Sequence, residues 1–301
     1  MNSLNALLKN NTRHFLAHIK SYASQPAQYE TLAVSVPKKN VYHVELNRPQ
    51  KLNTLNQCMW SDLKKCFNTL HNDSDCRVVV ISGQGKLFTA GIDLQSLVEY
   101  FSAANEIEDI GRRGRFLYKF IKDTQECITA VEECMKPVLA VVHGACLGAG
   151  VDLITAADIR YCTEDAWFQV KEVDVGLAAD VGTLQRLPKV IGSASVVREL
   201  CYSARKVDAK EALDIGLVGK MLSDKQSAID HALSMAELIA SKSPVAVQAT
   251  KQNILYSQDK TPREGLEHIA LLNMLNHQSE DLSKSAIAAA SRSGTPEFEN
   301  Y

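Results

Sequence analysis

Short apolar runs alternate with amphipathic stretches over the first two thirds of the chain. Val78–Ile81 and Val138–Val142 are wholly apolar and rich in β-branched residues, a pattern typical of buried strands. Weaker patterns predict two more strands, at Val41–Leu46 and Ile159–Cys162. Each of these segments is followed by a stretch whose apolar residues have helical spacing, so the pattern predicts an α/β core.

The last third of the chain has a helical period and no further strand pattern. It predicts a helical C-terminal module, and the apolar faces after residue 225 are wider than one core contact needs, which favours a homo-oligomer. The polar, acidic segment Ala103–Ile110 is predicted to be a loop. Two helices are predicted to follow glycine-containing turns near residues 91 and 148 and to end at about Phe101 and Ala157. The other predicted helices are Leu55–Leu70, Arg115–Glu133, Thr183–Val190, Ala194–Cys201, Ala209–Ile215, Gln226–Ser241, Pro244–Tyr256, Pro262–Asn276 and Ser283–Ala290.

The composition excludes several classes of protein. The 301 residues carry a net charge of −2, with 46% apolar and 23% charged residues, so no nucleic-acid or membrane surface is indicated. No apolar run is long enough to span a bilayer. The eight cysteines form no Cys-x-x-Cys pair, which argues against zinc and redox sites and favours a reducing compartment.

The N-terminal segment differs from the rest of the chain. Residues 1–28 contain no Asp or Glu, carry positive charge at Lys9, Arg13 and Lys20, and can place apolar residues on one helical face. This composition predicts a mitochondrial transit peptide and a location in the mitochondrial matrix, with a disordered or docked arm as the alternative. The chain finishes Glu-Phe-Glu-Asn-Tyr, without the peroxisomal tripeptide Ser-Lys-Leu.

Two glycine turns each precede a predicted helix. The first is Ala90-Gly-Ile-Asp and the second is Gly148-Ala-Gly-Val-Asp. Glycine permits a sharp bend, so the N–H groups of Ile92 and Ala149 can point into a cleft and together hold one oxygen. When either turn is taken alone, plain helix capping and close packing are the more common explanation. Neither turn fits a phosphate-binding loop.

Three acids follow in apolar surroundings, at Asp152, Glu172 and Asp180. Carboxyls in such settings can have raised pKa values and move protons near neutral pH. Each also has a structural alternative: compensation of the helix dipole for Asp152, an ion pair with Lys171 or an exposed loop position for Glu172, and an N-cap for Asp180. Asp174 is a fourth candidate that spacing does not exclude. His143 has no visible partner constellation, which favours a packed or loop histidine.

The motifs resemble the enoyl-CoA hydratase/isomerase (crotonase) superfamily over roughly residues 35 to 280. The resemblance is carried by residues 88–94, 143–153 and 156–161, and by Gly182-Thr-Leu-Gln-Arg-Leu-Pro-Lys-Val-Ile-Gly. It implies an α/β crotonase-like spiral of ββα units with a C-terminal helical oligomerisation module. The implied boundaries are a core at 29–224, a trimerisation module at 225–290 and a tail at 291–301. Trimers, often paired into hexamers, are the habit of this superfamily.

Within the superfamily, residues 168–182 resemble the branch that converts 3,5-dienoyl-CoA into 2,4-dienoyl-CoA in the β-oxidation of unsaturated fatty acids. That resemblance implies that Glu172 and Asp180 transfer the protons, with the assignment of the C2 proton left open, while Asp152 orients or supports them. It assigns the oxyanion-binding N–H groups to Ile92 and Ala149. Substrate and CoA contacts are implied at Ala90, Gly91, Ile92, Asp93, Leu94 and Gly148. Neither metal nor cofactor is expected.

Two other functions are compatible with the sequence. One is a 2-enoyl-CoA hydratase, although this chain shortens the first of the two hydratase acids to Asp152 and adds a third at Asp180. The other is a non-catalytic acyl-CoA-binding or RNA-binding member, which the three acids and the low net charge disfavour. The chain also departs from the superfamily at Ala149, where glycine is usual, so its methyl group could narrow the pocket. Lys51, in a turn near the implied nucleotide site, could meet a CoA phosphate or be an ordinary surface lysine.

Overall fold

The computed structural model describes residues 28–301. The predicted transit peptide lies outside the described residues, apart from Gln28. The strands are β1 Leu32–Lys38, β2 Val41–Leu46, β3 Val78–Gly83, β4 Val138–Val142, β5 Ala145–Leu147, β6 Ile159–Thr163, β7 Trp167–Gln169, β8 Val207–Asp208 and β9 Lys220–Leu222. A six-stranded sheet forms the centre, in the strand order β1-β2-β3-β4-β6-β9, and a second sheet has the order β5-β7-β8.

The four predicted strands lie next to one another in the large sheet. Strands β2, β3, β4, β6 and β9 are all parallel, whereas β1 pairs with β2 in the antiparallel direction. All residues of β3 and β4 are buried, as expected for parallel strands covered on both faces. The sequence pattern missed β1, which contains Pro37, and the edge position of this strand is where a sheet tolerates proline.

Helices cover the sheet on both faces. The helices are α1 Gln57–Asn72, α2 Leu94–Asn105, α3 Ile110–Glu132, α4 Ala149–Thr155, α5 Thr183–Ile191, α6 Ala194–Ser203, α7 Ala209–Asp214, α8 Lys225–Ala240, α9 Pro244–Ser257, α10 Pro262–Asn276 and α11 Glu280–Ser291. Short 3₁₀ helices lie at Pro49–Lys51 and Glu172–Val175. The prediction of a loop over Ala103–Ile110 was wrong at both ends, because the Asp109 side chain caps an earlier start of α3 and α2 continues to Asn105.

The two faces of the sheet pack against different helices. Side chains alternate along a strand, so Val79 and Ile81 join the core beneath α1 and α3 while Val78 and Val80 point the opposite way. On that opposite face α8 presents four fully or nearly buried alanines, Ala228, Ala232, Ala236 and Ala240. Their spacing of four residues forms one narrow stripe, which allows this helix to approach the sheet closely.

The predicted helical C-terminal region is confirmed as helices α8 to α11. These helices leave many large apolar side chains exposed, as the sequence pattern predicted. The exposed set comprises Leu238, Ile254, Leu266, Leu271, Met274, Leu275, Leu282 and Ile287. Over residues 28–301, none of the helices combines the length and apolarity that crossing a membrane requires. The domain boundaries at 29–224, 225–290 and 291–301 stay predictions.

Candidate active site

The first glycine turn leads from β3 towards α2 and lies against β5. Thr89 exchanges backbone hydrogen bonds with this strand, donating to the Ala145 carbonyl and accepting from the Leu147 N–H. Gly91 has a φ of +90°, and a Cβ at this position would lie 2.8 Å from the Leu147 carbonyl oxygen. Glycine is therefore required at this position for two reasons: the positive φ, and the close contact with the Leu147 carbonyl. The result is that the two glycine turns lie side by side.

The second glycine turn ends β5 and begins α4. Gly148 has a φ of +47°, and Ala149 is the first residue of the helix. A Cβ on Gly91 would lie 3.8 Å from the Ala149 nitrogen, so the segments that carry the Ile92 and Ala149 N–H groups are neighbours. Among residues 28–301, neither of these N–H groups donates to a protein acceptor. The pair is thus free to bind an oxygen at the start of a helix, where the dipole favours negative charge.

Ala149 adopts its place without backbone strain. It does not belong to the residues with positive φ, in agreement with the expectation for a helix start. The residue is 5% exposed and lines the cavity that opens beside the two glycine turns.

A cavity of about 320 Å³ opens in front of the paired N–H groups. Its walls are mostly apolar and come from both glycine turns, from α2 and α3, and from the segment after β7. Five of the six predicted substrate contacts, Ala90, Gly91, Ile92, Leu94 and Gly148, lie on this wall. Such a pocket, apolar with a few convergent polar groups, suits an acyl chain whose one polar end is gripped by the backbone.

Asp93, the sixth predicted contact, is not on the cavity wall. Its carboxylate accepts hydrogen bonds from Arg48 at 3.1 Å, from the Thr54 hydroxyl at 3.1 Å and from the Ser96 N–H at the start of α2. Partial burial opposes ionisation, but these hydrogen bonds and the Arg48 charge outweigh it and lower the pKa of Asp93. The side chain therefore ties the first glycine turn to the 48–54 loop.

Asp152 is fully buried on α4, behind the cavity wall. One carboxylate oxygen accepts a 2.5 Å hydrogen bond from the Thr183 N–H at the start of α5. The other oxygen has no hydrogen-bond partner among the described residues. Burial raises the pKa of Asp152 to about 6, although the Thr183 hydrogen bond and the Arg186 charge oppose the rise. Its partner is thus the N-terminus of α5 rather than that of its own helix.

Glu172 opens the 3₁₀ helix and lies on the cavity wall. A Cβ on Gly148 would lie 3.2 Å from its Oε1, so the carboxylate sits directly against the second glycine turn. Its Oε2 is buried without a hydrogen-bond partner in the described part of the chain. Burial, assisted by the negative charge of Asp152, raises the pKa of Glu172 to about 7. A carboxyl with this pKa can both accept and donate a proton near neutrality.

Asp180 lies on the same cavity wall and is more exposed than Glu172, although the cavity still shields part of it from solvent. Partial burial raises its pKa. Tyr100 of α2 lies on the same wall, and its pKa is raised by burial and by the Asp180 charge. The alternative that Asp180 caps α5 was wrong, because Gly182 is the N-cap and Asp152 takes the Thr183 N–H. The structure therefore brings two acids to the cavity and places a third behind them.

The other candidate side chains lie elsewhere. Asp174 forms an ion pair with Lys171 at 3.0 Å, and its side chain is 44% exposed. It is therefore not a fourth acid of the cavity, and it takes the place of Glu172 as the ion-pair partner of Lys171. His143 is buried and its Nε2 lies 3.0 Å from the Gly85 carbonyl, which confirms a packed histidine. Among residues 28–301 there is no group of three or more His, Cys, Asp or Glu residues arranged to hold a metal ion.

Sequence reasoning missed the aromatic part of the cavity wall. Tyr100 of α2 stacks on Phe120 and Phe116 of α3, with ring centroids 3.6 and 5.1 Å apart. Tyr100 and Phe120 line the cavity together with Phe101 and Trp60. The helical spacing of these residues was visible in the sequence. It could not tell a cavity wall from a solid core, because both need the same apolar stripe.

A substitution at Gly91 tests the contact between the two turns. Gly91→Ala is expected to lower the free energy of unfolding by about 2–4 kcal/mol, through the unfavourable φ and the contact with Leu147. Gly176→Ala is the matched control, because Gly176 has a φ of +77° but open space around it. Urea unfolding measures both. Equal losses in the two variants would contradict the close approach of the turns.

Glu172→Gln is expected to change how stability depends on pH. The folded carboxyl binds its proton more tightly than the unfolded chain does, with a pKa of about 7 against 4.5. The pH-dependent cost of burying this carboxyl is therefore absent below the unfolded pKa, and it grows until the pH exceeds the folded pKa. Gln is neutral throughout, so between about pH 4 and pH 8 the variant should gain on the order of 3 kcal/mol over the wild type. Urea unfolding at several pH values checks this, and a pH-independent difference would contradict it.

Comparisons with known proteins identify relatives of this chain. The family model described as enoyl-CoA hydratase/isomerase matches residues 37–299. The chain is 54% identical over 260 residues to a Homo sapiens protein named Delta(3,5)-Delta(2,4)-dienoyl-CoA isomerase, mitochondrial, covering 86% of this chain and 79% of the relative. It is 42% identical over 274 residues to an Arabidopsis thaliana protein with the same enzyme name, designated peroxisomal, covering 90% and 97%.

The fold also matches solved structures. An enoyl-CoA hydratase from Bacillus anthracis superposes with a TM-score of 0.80 at 25% identity, covering 90% of this chain and 100% of that one. The predicted crotonase-like α/β spiral with a helical C-terminal region is thereby confirmed.

Proposed function

The chain belongs to the enoyl-CoA hydratase/isomerase family, and from this premise we propose that it isomerises 3,5-dienoyl-CoA thioesters to 2,4-dienoyl-CoA thioesters. The observation that carries the proposal is the presence of two acids, Glu172 and Asp180, on one wall of an apolar cavity. The identity of 54% to a relative with this enzyme name supports it. The reaction belongs to the β-oxidation of unsaturated fatty acids.

The paired N–H groups of Ile92 and Ala149 bind the thioester oxygen in this proposal. When a base removes a proton from C2, the electron pair delocalises through the carbonyl and the two double bonds, and negative charge builds up on that oxygen. Two N–H donors in a water-poor cavity stabilise the charge, and one such donor is worth about 3 kcal/mol. Neither metal nor cofactor is proposed, because the thioester carbonyl and the adjacent diene of the substrate accept the electron pair that the C2 proton leaves behind.

Proton transfer is assigned to Glu172 and Asp180. One carboxylate takes the C2 proton, the double bonds shift from positions 3 and 5 to positions 2 and 4, and the other carboxyl delivers a proton to C6. The substrate and product thus have the same mass. C2 and C6 are several bonds apart along the chain, so two acids on the cavity wall suit the reaction better than one. The pKa of about 7 at Glu172 allows it to change protonation state in each turnover.

Asp152 supports the pair without touching the substrate. It does not line the cavity, and its negative charge contributes to the raised pKa of Glu172. Its hydrogen bond to Thr183 also anchors the start of α5 close to Asp180. Asp152 is therefore proposed as a residue that orients and tunes the two acids.

The test is a spectrophotometric assay with a 3,5-dienoyl-CoA. The 2,4 product is conjugated to the carbonyl, so a growing absorbance of the conjugated dienoyl thioester reports isomerisation. Mass spectrometry of the product separates the hydratase alternative, because hydration adds the mass of water. A product of increased mass from 2-enoyl-CoA, together with no reaction of the dienoyl substrate, would overturn the proposal.

We also propose that the protein forms trimers or dimers of trimers. The exposed apolar side chains of α10 and α11, such as Leu266, Leu275 and Ile287, give these helices a surface suited to a second copy. Light scattering after size exclusion is expected to give about three or six times the chain mass of 33.1 kDa. A monomeric mass would contradict this proposal.

A mitochondrial location is proposed as well. The acid-free, positively charged composition of residues 1–28 supports it, and the human relative is named mitochondrial. The Arabidopsis relative is designated peroxisomal, so a fluorescent fusion of the full chain is the appropriate test. Peroxisomal fluorescence would refute the proposal.

A further inference from the structure

Arg186, in the second turn of α5, joins three parts of the molecule. Its guanidinium donates to the Glu132 carboxylate of α3 at 2.7 and 3.0 Å. It also donates to the Thr129 hydroxyl of α3 and to the Val181 carbonyl, both at 3.3 Å. The side chains of Arg186 and Glu132 are only 13% and 24% exposed. Because this cluster is shielded from solvent and a planar guanidinium reaches several acceptors only in one orientation, it fixes the positions of the groups that Arg186 binds.

Gln125 of α3 makes a parallel contact one turn earlier. Its side-chain amide donates to the Asp180 carbonyl at 2.8 Å. Gln125, Thr129 and Glu132 are separated by four and three residues, so they lie on one face of α3. We call these three residues the α3 clamp. The clamp and Arg186 together hold the backbone carbonyls of Asp180 and Val181.

Gly182 allows the turn to lie against the guanidinium. Its φ is +139°, and a Cβ at this position would lie 1.8 Å from Nη1 of Arg186. The next residue, Thr183, donates its N–H to the buried Asp152. The turn formed by residues 180–183 is thus held at both ends. Gln125 binds the carbonyl of Asp180, and Asp152 binds the N–H of Thr183, three residues further along the chain.

We propose that the α3 clamp and Arg186 are positioning residues that set the distance of Asp180 and Asp152 from Glu172. None of the four side chains lines the cavity within the described part of the chain, so they act through the 180–183 turn. This inference rests on the proposed function, since it assigns a cause to the geometry of the proton-transfer pair. The positive charge of Arg186 also lowers the pKa of Asp152, in opposition to burial.

The test compares Arg186→Lys and Gln125→Ala with the wild type on 3,5-dienoyl-CoA. Lysine keeps the charge but cannot bond Glu132, Thr129 and Val181 together. Misplacement of a reacting group by about 1 Å costs about 10²-fold in rate, so kcat is expected to fall about 10²-fold for Arg186→Lys and about 10-fold for Gln125→Ala. KM should change less than about 3-fold, because neither substituted side chain lines the cavity and the oxyanion turns are unchanged.

Arg205→Gln is the matched control. Arg205 likewise forms ion pairs, with Glu199 and Glu211 at 2.6 Å each, but it does not line the cavity and does not contact the 180–183 turn. Its kcat is expected to match the wild type. Unchanged kcat in both folded test variants, or an equal loss in the control, would overturn the positioning role.

Amide hydrogen exchange gives a readout that does not need the assay substrate. Peptides covering residues 178–185 should exchange faster in Arg186→Lys than in the wild type and in Arg205→Gln, because the turn loses its anchor. If the wild type fails to isomerise the dienoyl substrate, the proposed function fails while the exchange data still decide whether Arg186 orders the turn. Unchanged exchange in this peptide would overturn the inference.

Discussion

Glu172→Gln is expected to lower kcat for 3,5-dienoyl-CoA by about 10³-fold, within the range of general acid–base catalysis. Gln has nearly the shape of Glu but cannot exchange a proton at neutral pH. The carboxylate lies against the oxyanion turn, where a Cβ on Gly148 would be 3.2 Å from Oε1, so the lost proton carrier is one beside the thioester site. Binding of the thioester should persist, because the N–H groups of Ile92 and Ala149 are unaffected.

The control for this substitution is Asp174→Asn. Asp174 lies in the same 3₁₀ helix, two residues further along the chain, but it is exposed and bonded to Lys171. The spectrophotometric assay should give it a kcat close to that of the wild type. Turnover by Glu172→Gln at more than about a tenth of the wild-type rate would remove Glu172 from proton transfer.

Asp180→Asn is expected to have the second large effect, a loss of about 10²- to 10³-fold in isomerisation. Asp180 is the second acid on the cavity wall, and its backbone carbonyl is held by Gln125 whether the side chain is Asp or Asn. The substitution therefore removes a proton carrier and leaves the turn in place. Wild-type isomerisation by this variant would show that one acid is sufficient and would remove Asp180 from proton transfer.

Solvent deuterium distinguishes the roles of the two acids. If Glu172 removes the C2 proton, Asp180→Asn should still incorporate deuterium at C2 although the double bonds no longer move. If Asp180 is the base, this behaviour belongs to Glu172→Gln instead. Mass spectrometry of recovered substrate decides between the two, and exchange in neither variant would mean that both acids are needed for the first step.

Local sequence patterns predicted the main elements because their physical causes are local. The apolar β-branched run of Val78–Ile81 becomes a strand buried on both faces, and helical spacing in the C-terminal third becomes α8 to α11. The short strands β5, β7 and β8 were missed, since two or three residues carry no period. They pair through contacts distant in sequence, such as Trp167 with Asp208.

The candidate site shows the same division. Glycines at 91 and 148 signalled sharp turns, and both have positive φ. The three acids were visible as charges in apolar surroundings, and the family resemblance grouped them. Asp174 has the same local context as Glu172, and only the fold turns one carboxylate to Lys171 and the other into the cavity.

By itself, the sequence determined the elements, the glycine turns and the identity of the acids, because strand period, helix period and glycine conformations are set by neighbouring residues. The tertiary structure alone decided that the two turns meet, that Asp152 binds the start of α5 behind the wall, and that Glu172 and Asp180 share one cavity. The physical reason is burial. The raised pKa values of Asp152 and Glu172 come mainly from lost solvation, which depends on all the elements packed around a carboxyl and on no single stretch of chain.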